Sequence, residues 1–266
     1  GKEKGKENGK ENGKEKEKSK GQDGNKLTDD GPHANPPPPS NALLNLTNLH
    51  GRHSLDRDES HAVIFVHGFQ GTASDLTLVK AQLLQACPHL HCLSSRVNEG
   101  SNSQDSLQHM GHRLAAEASS FLTNLLSLNS KRPLRKVTFI GHSIGNLILR
   151  AAISDALFRP FRKYLWAYVS LSGPHLGFLY TTNALMDTGM TFLKSFGRGR
   201  VLHELTFTDG KSLRECYLYR LAKVCPLTVF RAAVVLVACP QDKYVPWHSA
   251  SVSLPSVLVG GGGGMG

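Results

Sequence analysis

Residues 136–152 read KVTFIGHSIGNLILRAA. The central five, Gly141-His142-Ser143-Ile144-Gly145, are G-x-S-x-G. In a chain this rich in Gly and Ser the pattern alone is weak, arising by chance in roughly one such sequence in four. Its flanks decide the reading. The run Val137–Ile140 predicts a short strand ending at Gly141. Beyond it, Ile144, Leu147, Ile148, Ala151 and Ala152 form one apolar stripe at helical spacing, with Arg150 and Asp155 off the stripe. Strand, tight turn and helix in that order are what a nucleophile elbow requires. Gly141 and Gly145 leave room where a Cβ would meet the neighbouring strand and helix. The helix N-terminus beneath Ser143 favours negative charge developing there. The competing reading is Ser143 as a plain helix cap.

Four further apolar runs stop at turn residues: His61–Val66 before His67-Gly68, His91–Val97 before Asn98, Leu165–Leu171 before Ser172-Gly173-Pro174, and Ala232–Ala238 before Cys239-Pro240. Short apolar runs bounded in this way read as buried parallel strands. Helical segments lie between them. Thr72–Ala86 carries Leu76, Val79, Leu83 and Ala86 at three- and four-residue spacing, and Ser106–Leu128 is the longest. Strand and helix alternate, so the expected fold is α/β: a mostly parallel sheet with helices on both faces.

A serine nucleophile needs an oxyanion hole, an acid and a base. One N–H of the hole comes from Ile144, the residue after the nucleophile. The other comes from a loop after an earlier strand, and Gly68-Phe69-Gln70-Gly71 supplies it, with Phe69 presenting its N–H. A plain glycine turn is the alternative there. The acid follows a later strand, where Asp242 stands in Cys239-Pro240-Gln241-Asp242; a solvent-exposed turn aspartate is the bland reading. In the order Ser…Asp…His, His248 is the one histidine after the acid, only six residues on, with Pro246 opening its helix. The competing reading is that the base is absent from this chain. His67 and His142, beside the two glycine turns, read as packing or hydrogen-bonding residues. His109 and His112 form an isolated i, i+3 pair, and no metal site is expected. The segment from Phe178 to Leu205 is rich in Leu, Met and Phe, which suits an acyl-binding lid or, more plainly, a helical cap on its own core.

Composition narrows the class. The first forty residues are a Gly/Lys/Glu-rich tail ending in a proline spacer, expected to be disordered; residues 257–266 form a glycine-rich tail. Residues 60–256 hold the folded domain. The net charge is +10, yet residues 1–30, with nine Lys against five Glu and three Asp, contribute only +1. Arg159, Arg162, Lys163, Arg198, Arg200, Arg214, Arg220, Lys223 and Arg231 crowd the second half. Such a surface favours an anionic membrane face or acidic ligands, or is simply solvated. No zinc-finger, basic-zipper or aromatic RNA-binding signature is present, so nucleic acid is not expected. The five cysteines are odd in number and lack a C-x-x-C, which fits reduced thiols in an intracellular, cytoplasmic protein; Cys239 reads as a buried small hydrophobe. No stretch reaches the length of a membrane span, so a soluble or peripheral chain is expected. Because the first residue is not Met, a targeting segment stays open.

Four blocks, HAVIFVHGFQGTASDLTLVKAQL, KVTFIGHSIGNLILRAAI, SLSGPHLGFLYTTNALMDTGM and VVLVACPQDKYVPWHSA, together resemble the serine esterase family, a lipase-like branch of the α/β-hydrolases. The likeness covers residues 60–252. It implies an α/β-hydrolase fold, with Ser143 as nucleophile, Asp242 as acid and an oxyanion loop at Gly68-Phe69. It also implies a base beyond the helix that begins near His248, after one more strand; the expectation is therefore a sheet missing its last strand. The expected activity is hydrolysis of a hydrophobic acyl ester without cofactor or metal. The rival expectation is a catalytically incomplete scaffold that serves as a binding module.

Overall fold

A computed structural model describes residues 59–128, 132–178 and 199–253. The N-terminal tail, most of the Phe178–Leu205 segment and the glycine-rich C-terminal tail lie outside these residues. Five strands, β1 (Ser60–Val66), β2 (His91–Ser94), β3 (Leu134–His142), β4 (Leu165–Leu171) and β5 (Ala233–Val237), form one sheet in the order β2-β1-β3-β4-β5. Every pairing is parallel. A parallel neighbour needs a crossover, and the crossovers carry the helices. These are α1 (Thr77–Ala86), α2 (Leu107–Leu128), α3 (Gly145–Ser154), α4 (Arg200–Leu205) and α5 (Tyr217–Val224); α6 (Trp247–Ser251) follows β5.

Period-two alternation in β1 splits its side chains between two cores. Ala62, Ile64 and Val66 join the larger core, with Met110, Leu114, Ala118 and Leu122 of α2 and Leu147, Ile148 and Ala151 of α3. Val63 and Phe65 join the smaller one, with Leu76, Ile140 and, from α1, the partly buried Leu83. Helices therefore cover both faces, as the alternation of elements predicts. Gly111 lets α2 approach α3: a Cβ there would stand 2.5 Å from that of Ala151. An aromatic cluster fills the larger core, with Phe139 edge-on to Phe158 at 5.6 Å and Tyr168 stacked on Phe230 at 5.1 Å.

Several expectations are corrected. The first helical segment is a 3-10 turn, Ala73–Leu76, followed by α1, and Val79 and Ala86 of its expected stripe are exposed. β3 is nine residues long rather than four. Arg150, off the apolar stripe of α3, is nonetheless buried, and its Nε and Nη2 donate to the Cys225 carbonyl at 3.3 and 3.0 Å. A second layer from the α5 segment covers that side of the helix, which the apolar stripe could not report. The run Ala232–Ala238 reads as a buried parallel strand, yet Val234, Val235 and Val237 of β5 are exposed. Among the described residues it bonds only to β4, as the edge strand. Cys239 is exposed, its thiol donating to Gln241 Oε1 at 3.0 Å, because it follows that edge strand.

Glu204 of α4 is a buried carboxylate whose Oε2 accepts from the Leu107 N–H, at the head of α2, at 2.7 Å. Burial pushes its pKa up to about 7, and Asp209 and Asp105 push the same way; the Leu107 hydrogen bond and Arg200 oppose them. A carboxyl raised on folding contributes stability that is present below its unfolded pKa, near 4.5, and lost as pH climbs through about 7. Glu204→Gln keeps an acceptor for Leu107 and removes the titration. Thermal melts across pH 4.5 to 8 should show the variant's Tm falling less than that of the parent; identical pH profiles would overturn this assignment.

Candidate active site

Ser143 sits at the turn from β3 to α3 with φ 51°, in the left-handed region that non-glycine residues avoid. Hydrogen bonds hold this strained backbone. The Ser143 N–H donates to the Leu171 carbonyl at the end of β4, at 2.9 Å. The Asn146 backbone N–H donates to the Ser143 carbonyl at 3.1 Å. The Asn146 side-chain amide donates to that carbonyl, at 3.1 Å, and to Leu171, at 3.3 Å. Its oxygen in turn accepts from the Tyr168 hydroxyl at 2.9 Å. Asn146 and Tyr168 are both fully buried, so this clasp operates away from water.

The two elbow glycines are needed for the reason the spacing suggests. A Cβ on Gly141 would enter the Asn146 side chain, and one on Gly145 would strike the carbonyls of Val66 and His67 at the end of β1. The loop after β1 reaches the serine because Gly68 is bare. A Cβ there would lie 3.1 Å from Ser143 Cβ and 3.0 Å from His142 Nδ1. The loop is braced on its far side. The Gln70 N–H donates to Ser103 Oγ at 2.6 Å, and Gly100 donates to the Gly71 carbonyl at 3.1 Å. Thr72 and Asp75 close a reciprocal cap over the next turn.

A cleft of about 210 Å³ opens at these strand ends. Gly68, Phe69, His142, Ser143 and Asp242 all line it, with Asp75 and Tyr244. The proposed nucleophile, acid and oxyanion loop are thus brought together, and Ile144 lies directly behind the serine, fully buried. Asp242 is fixed by its own turn: Oδ1 accepts from the N–H groups of Tyr244, at 2.8 Å, and Val245, at 3.0 Å. His248 lies on α6, which Pro246 caps, outside the residues that line the cleft. The neighbouring Ser249 ties α6 to the loop after β4 by accepting from the Leu176 N–H at 3.1 Å.

The other histidines divide by environment. His142 lines the cleft; desolvation lowers its pKa, while the carboxylates of Asp75 and Asp242 pull it back up. His67 is buried beneath the loop, Nδ1 donating to the Gly68 carbonyl at 2.9 Å. His175 is buried under the elbow, its Nε2 2.9 Å from Ser170 Oγ, and burial, with Arg150 beside it, takes its pKa down to about 3. His109 and His112 contact Asp105 and Asp155, respectively, on the surface. Sequence reasoning missed Asn146, Tyr168 and Asp75. Asn146 left one legible signal: an amide three residues after the serine, inside an otherwise apolar helix start.

The family model described as "Putative serine esterase (DUF676)" matches residues 56–253, and the chain belongs to this family. Its all-parallel sheet, with helices on both faces, is the architecture that the resemblance implies. It is 24% identical over 226 residues to a Saccharomyces cerevisiae protein named "Putative lipase ROG1", a match that takes in 79% of this chain and 31% of that protein. The chain thus spans about a third of the length of that relative. Among solved structures, the mature Bacillus licheniformis lipase BlEst2 aligns at 17% identity and a TM-score of 0.41, over 67% of this chain and 66% of that one. The Legionella pneumophila phospholipase PlaB aligns at 18% identity and a TM-score of 0.42, over 66% and 38%.

Tyr168→Phe removes the donor to Asn146 Oδ1 and leaves a buried acceptor unsatisfied. The expected loss is about 1–2 kcal/mol of stability. Asn146→Ala, which removes a side-chain donor from each of two carbonyls and the acceptor of the buried Tyr168 hydroxyl, should cost more. Urea denaturation measures both; a Tyr168→Phe curve superimposed on the parent would show that the clasp contributes nothing.

Proposed function

We propose that the chain is a serine hydrolase of the lipase or carboxylesterase type, acting on hydrophobic acyl esters through an acyl-enzyme on Ser143. The observation that carries this reading is the shared cleft: Ser143 on a strained elbow, Asp242 on a fixed turn and the Gly68-Phe69 loop within one cavity. Membership of a serine esterase family, and the lipase name of the yeast relative, support the substrate class. Ser143 Oγ attacks the ester carbonyl and its proton passes to an imidazole. The N–H groups of Phe69 and Ile144 hold the oxyanion. The tetrahedral species collapses, the imidazolium protonates the departing alcohol, and water then releases the acid by the same steps. None of these steps calls for a metal or cofactor.

His248 is the base in chain order after Asp242. A second reading, favoured by its place in the cleft that Asp75 and Asp242 also line, gives that role to His142. Exposed Tyr244, on the cleft rim, and exposed Trp247, close in sequence, support docking at the surface of an anionic membrane or lipid aggregate. Five unpaired cysteines support an intracellular, cytoplasmic setting.

A fluorophosphonate probe tests the site. Purified protein should be labelled, and Ser143→Ala should abolish labelling without shifting the Tm. Asp242→Asn should slow labelling by about two to four orders of magnitude. Of His248→Ala and His142→Ala, the one that reproduces the Asp242→Asn loss identifies the base. Labelling that survives Ser143→Ala would sink the assignment, and no labelling of folded protein would favour the non-catalytic scaffold.

A further inference from the structure

In a parallel sheet every strand starts at one edge and ends at the other, so the segments feeding the strands share the edge opposite the Ser143 cleft. In this chain the segments that feed three of the five strands are cationic. Arg132, Arg135 and Lys136 lead into or open β3; Arg159, Arg162 and Lys163 lead into β4; Arg231 leads into β5. Glu59 answers two of them, lying 3.5 Å from Arg135 and 3.7 Å from Lys136. The others make no ion pair among the described residues.

Two hollows adjoin this edge and meet at Val224, the last residue of α5, which is 67% exposed. The larger, about 340 Å³, lies between α2, the C-terminal half of α3 and α5, with Tyr217, Arg220 and Leu221 in its wall. The smaller, about 120 Å³, runs from Val224 to Val229, Arg162 and the start of β4 at Leu165. Neither shares a residue with the cleft. Cations line or flank them. Arg220 lies over the Tyr217 ring at 5.9 Å, and Lys223 over the Tyr219 ring at 5.7 Å. Arg162 is anchored on the carbonyls of Ile153 and Ser154, both at 2.7 Å. The carboxylate facing the larger hollow, Asp155, is already engaged by His112 at 2.9 Å and by the Leu157 N–H at 2.8 Å.

We propose that this groove is a docking surface for an acidic, amphipathic segment of a partner protein. Its apolar side chains would seat on either side of Val224, and its carboxylates would meet Arg220, Lys223 and Arg162. Charge complementarity selects an anionic partner. The concave shape selects a peptide with protruding apolar anchors rather than a bilayer, which requires protruding apolar residues on the protein. The place on the fold agrees: a partner held here leaves the cleft at the strand C-termini open.

The probe is a fluorescein-labelled synthetic peptide of about sixteen residues, with leucines at i, i+3 and i+4 spacing among glutamates. It is read by anisotropy against the full chain. Binding should weaken at least about tenfold in Arg220→Glu/Lys223→Glu, and similarly in Val224→Asp. All these residues are exposed, so unchanged melting curves are expected and establish that the variants fold. Binding equal to that of the parent in both variants would overturn the proposal. So would competition by polyglutamate as effective as that by the unlabelled peptide, since the groove would then contribute nothing. Sedimentation with phosphatidylserine–phosphatidylcholine vesicles that the same charge reversals abolish, without peptide binding, would assign the surface to a membrane instead.

Discussion

The left-handed backbone at Ser143 is the constraint around which this domain is organised. A non-glycine residue in that region costs on the order of 1 kcal/mol or more and persists only where its surroundings over-determine it. Here four elements do so. β4 accepts the serine N–H through Leu171, and α3 returns two donors from Asn146. β1 comes so close to α3 that only glycine fits at Gly145, and the loop after β1 rests on the serine through Gly68. The Tyr168–Asn146 bond lies below, where water cannot compete. The sheet order β1-β3-β4 follows from the same demand, since the elbow strand must have a strand on each side to supply these contacts.

Parallel topology then divides the molecule between two edges. Strand C-termini bring Phe69, Ser143, Ser172 and Asp242 to one cleft although they are far apart in sequence. Strand N-termini collect arginines and lysines at the other edge. Net charge alone could not reveal this separation, because the tail and the domain both carry many lysines. Once the topology is known, the position of each cation relative to the strand it precedes assigns it to an edge.

The same logic explains what the sequence made legible. The elbow was readable because its parts are local: strand, turn and helix lie within seventeen residues, and each leaves a composition signature. Strand existence and parallel pairing were readable for the same reason. Burial was not. Arg150 falls off the apolar stripe of α3, but the layer that covers it comes from α5, some seventy residues later. β5 has the composition of a core strand, yet composition does not say what stands beside it. Asn146 matters through Tyr168 and Leu171, both on a different strand, so only its odd polarity was visible beforehand.

The general base that the proposed mechanism calls for is the least legible member, for a structural reason. The proposed nucleophile, Ser143, directly follows β3, and the proposed acid, Asp242, is fixed by hydrogen bonds within its own turn after β5. A base carried by a loop or a short helix has no register to obey. Asp242 narrows the choice nonetheless. Its Oδ1 is committed to the amides of Tyr244 and Val245, so an imidazole is to be oriented by Oδ2. On the proposed mechanism, a histidine acting as base would approach from the side of the carboxylate that faces the cleft, and a catalytically incomplete chain would offer none there. His142 is already in the cleft but next to the nucleophile along the chain, which restricts its reach. His248 is free of that restriction, and its helix α6 is held to the loop after β4 by Ser249.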